Sequence, residues 1–356
     1  MSKDSIPAPQ CCERLEALLT RFQGQRQIYP SVLNAEYRLP TAASPELVDF
    51  WAHQSKQVFE PDFIATLPSG RIYGEGNVIS PDGASIARDV SNDFGKSFRE
   101  HWLINFSKIK APQIIAGRTA VISTTLGSGY GHWLLEELPR LLMLDCSGID
   151  TILAHQITPF SLAALKLCGF KGDAIHTKRH ENWVSDELII PSLIGQVEAP
   201  RAEVIEKLNH FVKPLERKGH LGQEKIYISR ERARRRNVRN EAELWQVLES
   251  RGFTKVYLED LSWSEQIQVF RSAKMIVAAH GAGLANLAFS RAGTRVIELF
   301  HRNYVNGCYW KLASLKGLDY RPLVSDGLQP LAQELQANRL AIPVELTQVI
   351  RELDQL

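Results

Sequence analysis

The sequence predicts an α/β protein whose C-terminal part is a doubly wound parallel sheet. Three observations carry this. From residue 225 onward, five short apolar runs alternate with helical patterns. The loops between them are short, as in βαβ units. The most apolar run, "KMIVAA" (274–279), has few positions suited to solvent, as a central strand covered on both faces requires. At 356 residues the chain exceeds one hydrophobic core, which predicts two domains of roughly 150–200 residues.

The elements follow in order. The first 60 residues are proline-spaced and give no clear assignment. Residues 71–123 read as β-rich, with runs such as "GNVIS" (76–80) and "TAVIST" (119–124). In "GHWLLEELPRLLMLDCSG" (131–148), Trp133, Leu134, Leu138, Leu141 and Leu142 recur at helical spacing. "TILAHQ" (151–156), the helical "SLAALKLCGF" (161–170) and "DELIIPS" (186–192) continue an α/β alternation. An N-terminal domain therefore spans 1–211, and the polar "VKPLERKGHLGQE" (212–224) reads as a linker. The C-terminal domain, 225–342, opens with the strand "KIYIS" (225–229). A helix over 240–252 follows, with Asn240 as N-cap, Glu243 at its third position and Gly252 as its stop. Then come "KVYLE" (255–259) and a helix over 262–273 capped by Ser262 or Ser264. "KMIVAA", a helical "GLANLAF" (283–289), "RVIELF" (295–300), a helix over 307–317 and "DYRPLV" (319–324) complete the alternation. "VELTQVIRELDQL" (344–356) reads as an amphipathic helix.

Composition is that of a soluble globular protein, 44% apolar and 23% charged. A net charge of +2 is too small to argue for nucleic acid as a partner. No uninterrupted apolar stretch is long enough to span a bilayer, and the N-terminus lacks the basic-then-apolar build of a signal peptide. The cysteines are scattered without a C-x-x-C pair, which fits structural thiols in a reducing compartment. These features predict a cytoplasmic protein, at most peripheral to a membrane.

Three stretches carry chemistry. "VAAHGAGLANLAF" (277–289) leaves a buried strand through His280-Gly281-Ala282-Gly283 and enters a helix. This is the carboxyl edge of a parallel sheet, where ligands of such folds bind. Unpaired amides of a first helical turn receive anions, and glycines let a phosphate approach without meeting a Cβ. The alternative is a tight turn with a structural histidine. The spacing G-x-G-x-x-N, ending in Asn286, departs from the dinucleotide fingerprint, and Glu298 comes too soon after it to serve as the usual ribose clamp. In "YISRERARRRNVRNE" (227–241) the corresponding loop is filled with Arg230, Arg234, Arg235, Arg236 and Arg239. Guanidinium forks bind phosphate oxygens bidentately, while two or three of them are expected to be solvated or to pair with Glu231 and Glu241. A nucleic-acid patch is the rival reading, but the run lacks interleaved aromatics and a recognised module. In "GSGYGHWLLEELPR" (127–140), His132 and Glu136 share a helical face four residues apart. They form a candidate general-base pair in which the carboxylate orients the imidazole or takes the proton itself. The alternative is a packed helix start that His132 caps.

Together these stretches resemble the glycosyltransferase 61 family. The resemblance rests on Gly131–Leu141, on Tyr227–Arg230 with Arg235, Arg236, Asn240 and Glu241, and on Leu258–Ser262, Glu265-Gln266, Ser272-Ala273, His280–Leu284, Asn286 and Glu298–Phe300. It covers about residues 125–320 and leaves the first ~100 outside. It implies a GT-B-like fold, two Rossmann-like domains facing across a cleft, with the last helix crossing back to the N-terminal domain. It further implies an inverting transfer from a nucleotide diphosphate sugar to a hydroxyl of a glycan or lipid-linked glycan. Donor binding falls to Ser229, Arg230, Arg235, Arg236, Asn240, His280, Gly281, Ala282, Gly283, Leu284 and Asn286, with Glu298 on ribose hydroxyls; His132 and Glu136 are the catalytic pair. Without a D-x-D triplet, arginines and a helix start must neutralise the diphosphate, so no metal or other cofactor is obligatory, though a divalent ion stays open. The absence of a signal anchor then points to bacterial surface polysaccharide (capsule) synthesis at the cytoplasmic face of the inner membrane. Two rivals stay open: a non-catalytic nucleotide-binding scaffold, and an NAD-dependent oxidoreductase or epimerase. The oligomeric state is open too.

Overall fold

A computed structural model describes residues 5–215, 223–325 and 337–355. The chain is mixed α/β and divides into two compact units: Met1–Leu33 with Phe59–Val197, and Asn34–Val58 with Glu198–Leu356. The division thus falls at Val197/Glu198 rather than within the expected linker. Of that linker, residues 216–222 lie outside the described residues, and Lys213–Leu215 forms a 3₁₀ turn after the helix Ala202–Phe211.

The first unit is built on a ten-stranded sheet. Gln113–Val121 lies between Thr151–Ala154 and Asn182–Pro191, with Asp173–His176 beyond Thr151–Ala154, all four parallel. The other edge of Asn182–Pro191 pairs antiparallel with Asp62–Pro68 and Arg71–Tyr73, and Asn77–Ile79 and Ser85–Ala87 continue antiparallel. This unit is therefore only partly Rossmann-like, which corrects the expectation of a second Rossmann-like domain. The reason is local: the turns 74–76 and 80–84 are too short for a crossover, so the strands they join must run antiparallel. The helix Leu15–Arg21 buries Leu15, Leu18 and Leu19 in the same core as Leu67, Val121, Leu153, Leu188 and Ile190.

The second unit holds a five-stranded sheet, parallel throughout. Its spatial order is Thr254–Val256, Lys225–Ile228, Met275–Ala279, Arg295–Phe300, Asp319–Val324. In sequence order this is 2-1-3-4-5, whose switch point lies between Lys225–Ile228 and Met275–Ala279. Each strand in the alternation expected from the sequence is present. Met275–Ala279 is buried at every position. Pro322 sits in the edge strand, where its missing N–H leaves no ladder bond unmade. Ser262 caps Trp263–Ser272 in a capping box with Glu265. The segment after Met275–Ala279 is a 3₁₀ helix, Ala282–Phe289.

Three further findings depart from expectation. The helix Leu346–Asp354 packs on its own unit, burying Val349 and Leu353 among Tyr227, Leu244, Leu248, Val277 and Ile297. Arg321 Nη1 donates to Glu352 Oε2 at 2.6 Å. The crossing-back role is thereby corrected: this helix satisfies its apolar face on the sheet that precedes it. Asn240 makes no side-chain cap. It donates to Val344 O at 2.9 Å and accepts from Val344 N at 3.0 Å. Finally, the segment 34–58, a hairpin pairing Asn34–Glu36 with Lys56–Val58 and enclosing the Ser44-capped helix Pro45–Ala52, belongs to the second unit. Its Trp51 is fully buried, stacked on Trp310 at 5.0 Å and set against Phe300 and Tyr320.

Candidate active site

In the second unit, the two strands that flank the switch point release their chains into loops that touch. Arg236 Nε donates to the carbonyl of His280 at 3.0 Å. The guanidinium of Arg230 lies against Gly281 so closely that a Cβ there would sit 2.1 Å from Nη1. Gly281 is needed for this approach. Arg230 is held in place by its own loop, donating to the carbonyls of Arg236 at 3.2 Å and Arg235 at 2.8 Å. Burial, then the nearby Arg236 charge, lower its pKa to about 10. Arg236 itself has φ of +54°, a conformation that costs a non-glycine residue roughly 1–3 kcal/mol and collects at functional sites. Its guanidinium lies over the Tyr304 ring at 5.3 Å. Two guanidiniums and a glycine turn at the carboxyl edge of a parallel sheet make an anion-binding arrangement.

Other expected donor residues are placed differently. Ser229 Oγ donates to Glu241 Oε1 at 2.5 Å, so this buried serine anchors the next helix. Arg235 is exposed and contributes its carbonyl to Arg230. Neither acid that was expected to pair with the arginine run does so: Glu241 takes Ser229 and lies 3.6 Å from Lys255 Nζ, while Glu231 accepts from the Tyr257 hydroxyl at 2.7 Å. Asn240, tied to Val344, is structural. Asn286 is fully buried, donating to Gln266 Oε1 and Gly283 O at 3.1 Å each, and so braces the turn from beneath. Ala282, Gly283 and Leu284 open the 3₁₀ helix, with Leu284 buried. Glu298 is fully buried, facing His280 Nδ1 through one oxygen and the Tyr320 hydroxyl through the other. Closed off from solvent with both oxygens already paired, it presents no acceptor that a ribose could reach, and that expected role is corrected.

In the first unit, the helix Tyr130–Leu141 carries the other constellation. Its middle, Trp133–Glu137, is a π turn, in which the Leu138 amide reaches back to Trp133 O. Such wide turns are frequent at functional sites. His132 Nδ1 lies 3.0 Å from Glu136 Oε1. That same oxygen accepts from Val197 N at 3.1 Å, and Oε2 accepts from Thr124 Oγ1 at 3.3 Å. With both oxygens engaged, Glu136 orients the imidazole. A carboxylate only accepts, so Nδ1 carries the proton and the basic edge of the ring is Nε2. The His132 side chain is 28% exposed and that of Glu136 8%, so the histidine is the member that solvent reaches.

Beneath this pair lie two residues that sequence reasoning missed. Arg140, fully buried, donates to the carbonyls of Pro191, Ile122 and Ser123 and ties the helix to two strand ends. Glu137 Oε1 accepts from Thr124 N at 2.9 Å and His155 N at 3.3 Å, and a Cβ at Gly127 would sit 1.9 Å from it. The signal was available: two charges three residues apart inside an apolar helical run. Burial raises the Glu137 carboxyl from 4.5 to about 8, against the lowering pull of the Thr124 amide and Arg140. The folded state thus holds this proton more tightly than the unfolded chain, so stability falls as pH rises from 4.5 through about 8. Glu137→Gln, neutral at every pH, is expected to flatten that slope. Thermal melts across the window check this, and an unchanged slope would assign it to other groups.

Comparison with known proteins adds the following. A family profile described as Glycosyltransferase 61 matches residues 130–297. Over 121 residues the chain is 36% identical to the EGF domain-specific O-linked N-acetylglucosamine transferase of Drosophila melanogaster. That stretch covers 33% of this chain and 22% of the fly protein. The relative corrects the expected location. Its acceptors, EGF domains, are disulfide-dense modules of secreted proteins, so the cytoplasmic assignment does not stand. As an animal protein acting on protein domains, it also lends no support to a capsule acceptor. Among the described residues no helix is long and apolar enough to cross a membrane.

Proposed function

With residues 130–297 belonging to the glycosyltransferase 61 family, we propose that this chain transfers a sugar from a nucleotide diphosphate sugar to an acceptor hydroxyl with inversion at the anomeric carbon. The observation that carries this reading is the meeting of Arg230 and Arg236 with the His280-Gly281 turn at the switch point of the parallel sheet. The diphosphate lies against that turn, with Arg230 and Arg236 as its cationic donors. Charge that builds on the leaving group then meets donors already in place. His132 Nε2, oriented by Glu136, takes the proton of the acceptor hydroxyl as that oxygen attacks C1. The bond from C1 to the diphosphate oxygen breaks on the opposite side. In this reading the donor-binding residues belong to the second unit and the proton-accepting pair to the first. The name of the relative makes N-acetylglucosamine the first sugar to test, with a hydroxyl of a protein or glycan as acceptor.

Thermal shift against UDP, GDP, CMP and NAD tests the donor class, because a ligand at 100 times its Kd adds about 2.7 kcal/mol of stability. A shift with a nucleoside diphosphate, followed by slow release of N-acetylglucosamine from its UDP donor without acceptor, is the expected outcome. Stabilisation by NAD alone would defeat the proposal, and a sealed Glu298 argues against that result.

A further inference from the structure

Packing alone does not explain Glu298. It lies within the apolar strand Arg295–Phe300 and is fully buried. A carboxylate so placed is tolerable only when paired and hydrogen-bonded. Two donors meet it: His280 Nδ1 lies 2.5 Å from Oε1, and the Tyr320 hydroxyl donates to Oε2. Register brings the three together. Tyr320 stands opposite Val296, and Glu298 opposite Ala278. Residues two apart on a strand share a face, so Tyr320, Glu298 and His280 form a diagonal row across three neighbouring strands.

The His280 ring is enclosed as well as tethered. Phe300 stacks on it at 5.2 Å, with Tyr309 at 5.3 Å and Tyr304 at 5.5 Å. Its main chain is pinned by Arg236 Nε on the carbonyl. An imidazole whose Nδ1 is engaged has one polar atom left, Nε2.

We infer that Tyr320 and Glu298 are positioning residues that fix the His280 ring with Nδ1–H on the glutamate, so that in the donor complex the ring, set between two anions, donates through Nε2–H to the diphosphate. The inference rests on the proposed transferase reading and adds two residues to it. No proton changes hands at His280 during the transfer. The buried carboxylate stabilises the charged ring in that complex, as an orienting acid behind a histidine does, and the Tyr320 hydroxyl keeps that carboxylate from turning away.

The test is Tyr320→Phe, which removes one hydroxyl and keeps the ring. With 15N-labelled histidine, and His280→Gln to assign the signals, wild-type His280 should show a strongly deshielded Nδ1 proton, and its Nε2 signal should move when UDP or GDP binds. In Tyr320→Phe the Nδ1 proton should shift upfield. kcat should fall about ten- to hundredfold, the size of one hydrogen bond to a charged group, with donor KM nearly unchanged. A merely structural role would lower the melting temperature without moving the Nδ1 signal or separating kcat from KM. A bound nucleotide that leaves Nε2 undisturbed overturns the inference, as does a Tyr320→Phe protein with wild-type signal and turnover. If both signals respond as expected but no donor is turned over, the transferase reading fails while the His280 contact to the diphosphate stands.

Discussion

His132→Ala is expected to lower kcat by about 10²–10⁴, the contribution of a positioned general base, while nucleotide affinity stays within a factor of two or so. The reason lies in the geometry. Glu136 spends one oxygen on Thr124 Oγ1 and shares the other between Val197 N and His132 Nδ1, so it cannot readily replace the imidazole as proton acceptor. Glu136→Ala should follow His132→Ala in direction, because an unoriented ring loses its tautomer and its aim. The double variant should be little worse than His132→Ala alone, since groups that act as one unit are non-additive. Steady-state kinetics together with calorimetric titration of UDP or GDP separates the outcomes. Loss of nucleotide affinity with kcat intact would move His132 out of the proton-transfer role and into donor binding.

Arg230→Ala is the second large effect: turnover about 10²–10³ lower, the loss seen when one preorganised donor to a developing oxyanion is removed. Its lowered pKa of about 10 still leaves it cationic at neutral pH. The neighbouring glycine gives an independent handle on the same interaction. In Gly281→Ala the new Cβ would sit 2.1 Å from Nη1 and 2.7 Å from Cζ. The flexible guanidinium yields before the backbone does, so the fold should survive while Arg230 is pushed out of position. Gly281→Ala should therefore reproduce most of the Arg230→Ala defect, and the combination should be far from additive. Additive losses in kcat would show that the glycine and the arginine serve different ends. Near-normal turnover in Arg230→Ala would remove this residue from the site.

The second unit was largely legible because its information is local. Apolar period, the Ser262 cap and Gly252 each act within a few residues of themselves. What the sequence could not convey depends on pairing at a distance. In sequence Glu298 reads as the end of its strand and so as an open position, whereas it lies inside Arg295–Phe300, and its diagonal to Tyr320 in the next strand shows that it is closed. Asn240 stands in the usual place for a helix cap, yet its amide is engaged by Val344 more than 100 residues on. In the first unit the alternation over 151–192 was read without the strand Asp173–His176, and the antiparallel remainder depends on turns whose lengths reveal the strand direction only once the strands themselves are located. Of the site, the pairing of His132 with Glu136 followed from helical spacing alone. The contact between Arg236 and His280 needed the order of strands.

The Trp51 contacts have a consequence for how the protein must be made. The indole that stacks on Trp310 and touches Phe300 and Tyr320 is delivered by the Asn34–Val58 excursion, synthesised long before the strands it completes. A ribosome therefore releases this segment with nothing to bind, and its apolar side stays unclaimed until the last sixth of the polypeptide arrives. Expressing residues 198–356 alone would leave three aromatic rings bare beside Glu298, inviting aggregation. Supplying a 34–58 peptide in trans is the natural rescue.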